Sequence, residues 1–223
     1  APSTTRAENA VKVYTALASV PKAADRVDML AYHRYGPNSR GALPGIVAAA
    51  QKAGIQTGML EYIKGDVDML VEDLTLGNVS AWQQYGVARR IVDGDPRASN
   101  SYYLDAQYAG EVLQSIDLPP RTRLMAEVFR LFRTGAVRVE AGSDSSGVAA
   151  VAMRGTDGGI ALALRLSEAG PVNLTGMPTG KYVLSGMTEE GIAVAPETVA
   201  LTNGRTFEIA HGQRGVLTLR PVP

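Results

Sequence analysis

Cysteine is absent from the 223 residues, which excludes disulfides, thiolate metal sites and cysteine nucleophiles. Histidine occurs only at 33 and 211, far apart and without ligand spacing, so a metal hydrolase has little to be built from. No sign of charge prevails: 22 Lys and Arg face 22 Asp and Glu, so no strong field draws the chain to nucleic acid or to an anionic membrane. Nor does any stretch approach the ~20 apolar residues of a membrane-spanning helix. The opening residues, APSTTRAENA, have neither an initiator Met nor the apolar core of a signal peptide, which reads as a processed product or a fragment.

What remains is ordinary globular material, 45% hydrophobic and 20% charged, and long enough for one large domain or two modest ones. Up to about residue 86 the pattern alternates. Ala7, Ala10, Val11, Tyr14, Leu17 and Ala18 recur at helical spacing, and Ser3 or Thr4 can cap that helix. DMLAYH (28–33) reads as a buried strand opening into a loop. The Ala-rich stretch 45–52 after Pro44 reads as a helix closed by Gly54. A strand follows over 55–62, then an amphipathic helix over 66–74 with Val67, Leu70, Val71 and Leu74 on one face, then a strand carrying Trp82 within 79–86. Strands and helices in this order imply βα units with parallel strands.

The sequence DGDPRASNS (93–101) reads as a turn-rich loop, YYLDAQYAGEVLQSI (102–116) as a helix broken by DLPP, and 121–133 as a helix with Leu124, Met125, Val128, Phe129 and Phe132 on one stripe. After Thr134 the period changes. AVRVEA, GVAAVAMR, GIALALRL, VNL, KYVLSG, IAV, ETVALT, TFEIA and GVLTLR are short strands separated by turn residues, the pattern of an antiparallel β-sandwich. The expected domains are therefore 1–134 and 135–223.

Chemistry concentrates at three successive strand ends: His33 with Tyr35, Glu61 with Tyr62, and Trp82 with Gln83 and Gln84. In parallel α/β folds these ends share one face, where sites are built. A carboxylate, a phenol, an imidazole and a flat indole together suit a sugar. Taken singly, Glu61 reads first as a water-facing strand end, His33 as a satisfied imidazole and Trp82 as core; it is their joint placement at three strand ends that favours a site. Asp66, Asp68, Glu72 and Asp73, at helical spacing, read as a solvated helix start favoured by the dipole. Arg34, Asn38 and Arg40 are candidates for reading an acid group on a substrate, whereas Arg138, Arg154 and Arg165 are assigned no chemistry.

AYHRYG, GMLEYIKG and GNVSAWQQYG resemble the last three βα units of a clan A glycoside hydrolase (β/α)8 barrel. The rest resembles glycoside hydrolase family 30 and its bacterial relatives, whose barrel runs into a YY…F…F…PGAVR segment and then a sandwich. Tyr102, Tyr103, Phe129, Phe132, Gly135, Ala136, Val137 and Arg138 stand in that order here, with Thr134 where the family usually has Pro. The resemblance implies a partial (β/α)8 barrel followed by an antiparallel β-sandwich, a retaining mechanism with Glu61 as nucleophile, and a carbohydrate substrate contacted by His33, Tyr35, Tyr62, Trp82 and Gln84. It implies no cofactor or metal and a secreted or periplasmic bacterial setting. The family takes its acid/base from an Asn-Glu pair at the fourth barrel strand. No such pair stands at a strand end here, and Glu8-Asn9 has the reverse order. The expected partner is thus a missing N-terminal barrel half, without which three βα units leave an open sheet edge. The alternative is a noncatalytic carbohydrate-binding or interaction module whose sandwich carries the function, with Tyr182 and Phe207 as its aromatic candidates.

Overall fold

The computed structural model describes residues 3–92 and 102–222, without the side chains of Val92 and His211. The turn-rich loop expected at 93–101 and the ring of His211 therefore lie outside the described residues. The protein is of mixed α and β structure and divides into two compact units, Ala1–Asp117 and Leu118–Pro223.

The first unit contains a four-stranded parallel sheet in the order β1 (Ser3–Thr4), β2 (Met29–His33), β3 (Gln56–Glu61), β4 (Val79–Trp82). Between the strands run α1 (Ala10–Ala18), α2 (Ser39–Ala53) and α3 (Val67–Thr75). Leu30, Ala31 and Tyr32 are all buried in succession, as parallel strands covered on both faces require. The helix α3 forms where expected. Asp66 caps it by accepting from the Met69 N–H (2.9 Å), and Val67, Leu70, Val71 and Leu74 are its buried stripe.

Three expectations for this unit are corrected. The first helix does not begin at Thr4, because Ser3 and Thr4 extend and pair with Ala31 and Tyr32, and a 3-10 turn (Ala7–Asn9) precedes α1. The second helix starts at Ser39 rather than after Pro44, since Leu43, Ile46 and Ala50 form one buried stripe that outweighs the bond lost at the proline. The helix expected over 102–116 is instead a hairpin, β6 (Leu104–Ala109) and β7 (Val112–Asp117), joined to β5 (Ala88–Val92) in a three-stranded sheet. Gly110, at φ 56°, opens the two-residue turn with a backbone conformation that side chains resist. Arg90 secures the turn by donating to the Gly110 carbonyl (2.8 Å), pairing with Glu111 (2.8 Å) and lying over the Tyr108 ring (4.5 Å).

The second unit begins with α4 (Pro120–Phe129) and continues as strands: β8 (Val137–Val139), β9 (Val148–Arg154), β10 (Ile160–Leu166), β11 (Gly170–Leu174), β12 (Gly180–Thr188), β13 (Ala193–Leu201), β14 (Phe207–Gly212) and β15 (Gly215–Pro221). Six form an antiparallel sheet in the order β13-β12-β15-β10-β9-β8, and β11 and β14 pair separately. The stretches IAV and ETVALT merge into β13, which tolerates Pro196 because it is an edge strand. Alternate residues Leu162, Leu164, Leu166, Leu184, Leu217 and Leu219 form the core with Leu174 and Ile209 of the separate pair. The opposite face of the sheet buries Val151, Met153, Val216 and Thr218, and α4 packs on β12 and β15 with Leu124, Met125 and Val128 buried. That packing groups α4 with the strands, so the compact-unit boundary falls at Asp117, while the change of sequence period comes at Thr134. Arg165, assigned no chemistry from the sequence, is buried and pairs with Glu189 at 2.6 Å.

Candidate active site

Two bulges shift the register of the parallel sheet, one of them at its C-terminal edge. Tyr32 pairs with Met59, but His33 pairs with Glu61, so Leu60 is the extra residue on β3. On β4 the extra residue is Ser80, between Val79 opposite Thr57 and Ala81 opposite Gly58. A bulge re-aims the side chain beyond it. Here the first one brings Glu61 level with His33 instead of leaving Leu60 there.

Glu61 is half-buried and held from β2. The Tyr35 hydroxyl donates to its Oε1 at 3.1 Å, and His33 Nδ1 lies 3.8 Å from the same oxygen. The other imidazole nitrogen, Nε2, shares a hydrogen bond with the Ser3 hydroxyl of β1 at 3.0 Å. His33 thus bridges the first and third strands of the sheet. Tyr62 completes the cluster, its ring centroid 5.0 Å from that of Tyr35, while the Tyr35 ring meets His33 edge-on at 6.2 Å. Partial burial, then the hydrogen bond and charge of Glu61, raise the Tyr35 phenol above its ordinary range.

Trp82 and Gln84 belong to a neighbouring arrangement. The indole Nε1 donates to Asp73 Oδ2 at 3.0 Å, and Gln84 Nε2 donates to the Ile63 carbonyl at 2.9 Å, tying the end of β4 to the loop after Glu61. Both side chains seat on Gly65: a Cβ there would lie 2.8 Å from the indole Cη2 and 2.9 Å from Gln84 Oε1. Gln83 is exposed, its backbone N–H bonded to the Met59 carbonyl at 2.9 Å.

Asp66 and Asp68 form the exposed helix start their spacing suggested, but Glu72 and Asp73 of the same run do not. Asp73 is 0% exposed and accepts from the Tyr32 hydroxyl (2.9 Å), Arg34 (2.6 Å) and Trp82. Burial raises its carboxyl above the usual range, against the pull of Arg34 and of the Tyr32 and Trp82 donors. Glu72 takes Arg34 at 2.9 Å and Arg40 at 2.8 Å. The Arg34 guanidinium is therefore buried and committed within the protein, so it does not read a substrate acid group, and Arg40 is paired as well. Asn38 contributes its backbone N–H to Glu8 Oε1 at 2.8 Å. Sequence reasoning missed Ser3 and Asp73. The first was hidden by the helical reading of the N-terminus, the second by a helical charge pattern that does not reveal which face is covered.

No protein-family model and no curated protein matches the chain. Solved structures do. A family 30 endoxylanase from Clostridium papyrosolvens C71 aligns over 100% of this chain and 55% of its own, with TM-score 0.74 and 16% identity. The catalytic domain of the family 30 xylanase C from Talaromyces cellulolyticus aligns over 98% and 58%, with TM-score 0.60 and 15% identity. An endo-β1,6-glucanase aligns over 98% and 47%, with TM-score 0.61 and 17% identity. The chain spans about half the length of these structures. The resemblance seen in the sequence thus holds at the level of fold: the chain has the fold of the C-terminal portion of a clan A glycoside hydrolase.

Proposed function

We propose that this chain is the C-terminal portion of a retaining β-glycoside hydrolase and that Glu61 is its nucleophile. In this reading β2, β3 and β4 are the last three strands of a (β/α)8 barrel, with β1 the end of the strand before them, and the second unit is the accompanying β-sandwich. The observation that carries it is the setting of Glu61. It stands at the C-terminal end of a central parallel strand, re-aimed by a bulge, oriented by the Tyr35 hydroxyl and flanked by His33.

Glu61 Oε attacks the anomeric carbon, the glycosidic C–O bond breaks, and the leaving oxygen takes a proton from a second carboxyl ~5 to 5.5 Å from the first. Water then displaces Glu61 from the ester, delivering its proton to that same second group, now a base. Tyr35 fixes the attacking oxygen and gives up the hydrogen bond as the ester forms. His33 and Tyr62 contact the sugar near the reacting centre, Trp82 offers its ring to the C–H face of the glycone, and Gln84 holds the loop between them. The second carboxyl comes from the missing N-terminal barrel half, the substrate is a β-linked poly- or oligosaccharide, and the enzyme acts in a secreted or periplasmic setting.

Mixing the chain with a separately produced N-terminal half supplying the fourth-strand Asn-Glu should restore hydrolysis of an aryl β-glycoside. Glu61→Gln in the mixture should lower the rate by at least about 10⁴-fold. Equal rates with Gln at position 61 would remove the nucleophile assignment. The binding-module alternative loses its aromatic platform, since Tyr182 is 3% exposed and Phe207 packs against the core of the second unit. Retention of residues 118–223 on insoluble xylan or glucan would restore it.

A further inference from the structure

Trp82 is fastened from two sides. Its N–H points to a fully buried carboxylate, a charge-assisted hydrogen bond of 3.0 Å, and its six-membered ring lies against Gly65, where no side chain fits. Asp73 is itself held by β2, through Tyr32 and Arg34, and Arg34 in turn bonds the Ser39 hydroxyl at 3.1 Å and Glu72. The ring on β4 is therefore referenced, through one carboxylate on α3, to the strand that also carries His33 and leads to Tyr35. A buried charge with three donors is difficult to displace, because removing any donor leaves part of it unpaired. Packing alone would have covered the N–H edge of an indole with aliphatic side chains. A carboxylate there fixes the direction of the N–H, and so the tilt of the ring.

We propose that Asp73 is a positioning residue that sets the tilt of the Trp82 ring relative to the Glu61 cluster, so that a β-linked pyranoside meets a preformed stacking surface instead of ordering one. The inference rests on the reading of Trp82 as a sugar platform. Asp73 touches no substrate and acts through the indole, converting the rigidity of the buried network into a fixed distance between stacking face and nucleophile.

Because Trp82 is the only tryptophan, the chain gives a single indole N–H resonance, and that signal reads the proposal directly. In the wild-type chain the indole hydrogen should exchange slowly with solvent. Asp73→Asn should shift the resonance and speed its exchange about tenfold, the scale of a hydrogen bond to a charged acceptor. An indole unchanged by Asp73→Asn overturns the proposal. If that variant does not fold, the wild-type rate decides, since exchange as fast as in a free indole overturns it as well.

Xylotriose is the ligand probe, followed by the indole shift and by ligand-observed NMR. Asp73→Asn should weaken its binding about tenfold, and should add no further loss in a Trp82→Phe background, where there is no N–H to hold. Equal losses in both backgrounds overturn the positioning role, because a merely structural carboxylate costs the same whatever stands at 82. The titration is made on the chain mixed with the N-terminal half, and if that mixture hydrolyses an aryl β-glycoside while neither xylotriose nor a β-linked glucotriose moves the indole signal, it is the platform reading of Trp82 that fails, a result separate from the exchange measurement.

Discussion

Glu61 draws its character from His33 of β2 and from Tyr35 just beyond that strand, and the Tyr35 contact can be tested without substrate. Tyr35 donates to Glu61, so the neutral phenol is the favoured partner and its pKa is raised, by burial first and by the Glu61 bond and charge next. For a group whose folded pKa exceeds its unfolded value, the stabilisation is complete below the unfolded pKa and is lost as pH rises through the folded one. The loss therefore falls on the alkaline side, above the ordinary phenol value of about 10. Glu61→Gln should bring the Tyr35 titration to lower pH, read as phenolate absorbance in the difference between each protein and its Tyr35→Phe counterpart. An unmoved titration would show that burial alone sets the value. At this scale the sequence was informative about residue types and poor about partners. His33, Glu61 and Trp82 were recognisable because they interrupt apolar runs at strand ends. Asp73 was not, because a helical i, i+4 pattern places a carboxylate on a face without saying whether an arginine from a distant strand covers it.

At the level of the element, the bulge at Leu60 and the turn at Gly65 do what no single side chain does: they aim Glu61 at His33 and make room for the indole. A methyl group at 65 would sit 2.8 Å from Trp82 Cη2 and 2.9 Å from Gln84 Oε1. Gly65→Ala should cost about 1–3 kcal/mol in denaturant titration and shift the tryptophan emission, both from overpacking. By contrast, Asp66→Ala removes only the cap of α3 and should cost about 1 kcal/mol with the emission unchanged. The elements themselves were largely legible: the helix at 66–74 and the strands after 147 followed from hydrophobic period. The hairpin of β6 and β7 was not, because Leu104, Tyr108, Val112 and Ile116 also fall at helical spacing, and only Gly110 distinguishes a turn from a helix. Bulges leave no mark on periodicity at all, since one extra residue in a strand looks like the ordinary irregularity of its end.

For the whole molecule, the two compact units pose different physical problems. The second closes its own core on both faces of a six-stranded sheet, so residues 118–223 should fold alone, with dispersed amide resonances and a cooperative thermal transition. The first has a parallel sheet whose outer strands are β1 and β4, and β1 pairs with β2 through only two residues. Parallel strands occur almost solely where neighbours cover both faces, and an edge left with unpaired N–H and C=O groups is a template for further strands. If the proposed N-terminal half completes the barrel, its strands must join at both of these edges, not at one. Amide hydrogen exchange of the chain with and without that half should then show new protection at Ser3–Thr4 and at Val79–Trp82 together, while β9, β10 and β15 of the second unit stay unchanged. The Glu61 cluster should respond in the same experiment, because Ser3 holds His33 and so links the β1 edge to the nucleophile. Protection confined to one edge would mean that the partner docks without closing the sheet, and the reading of these strands as the end of a closed barrel would then be wrong.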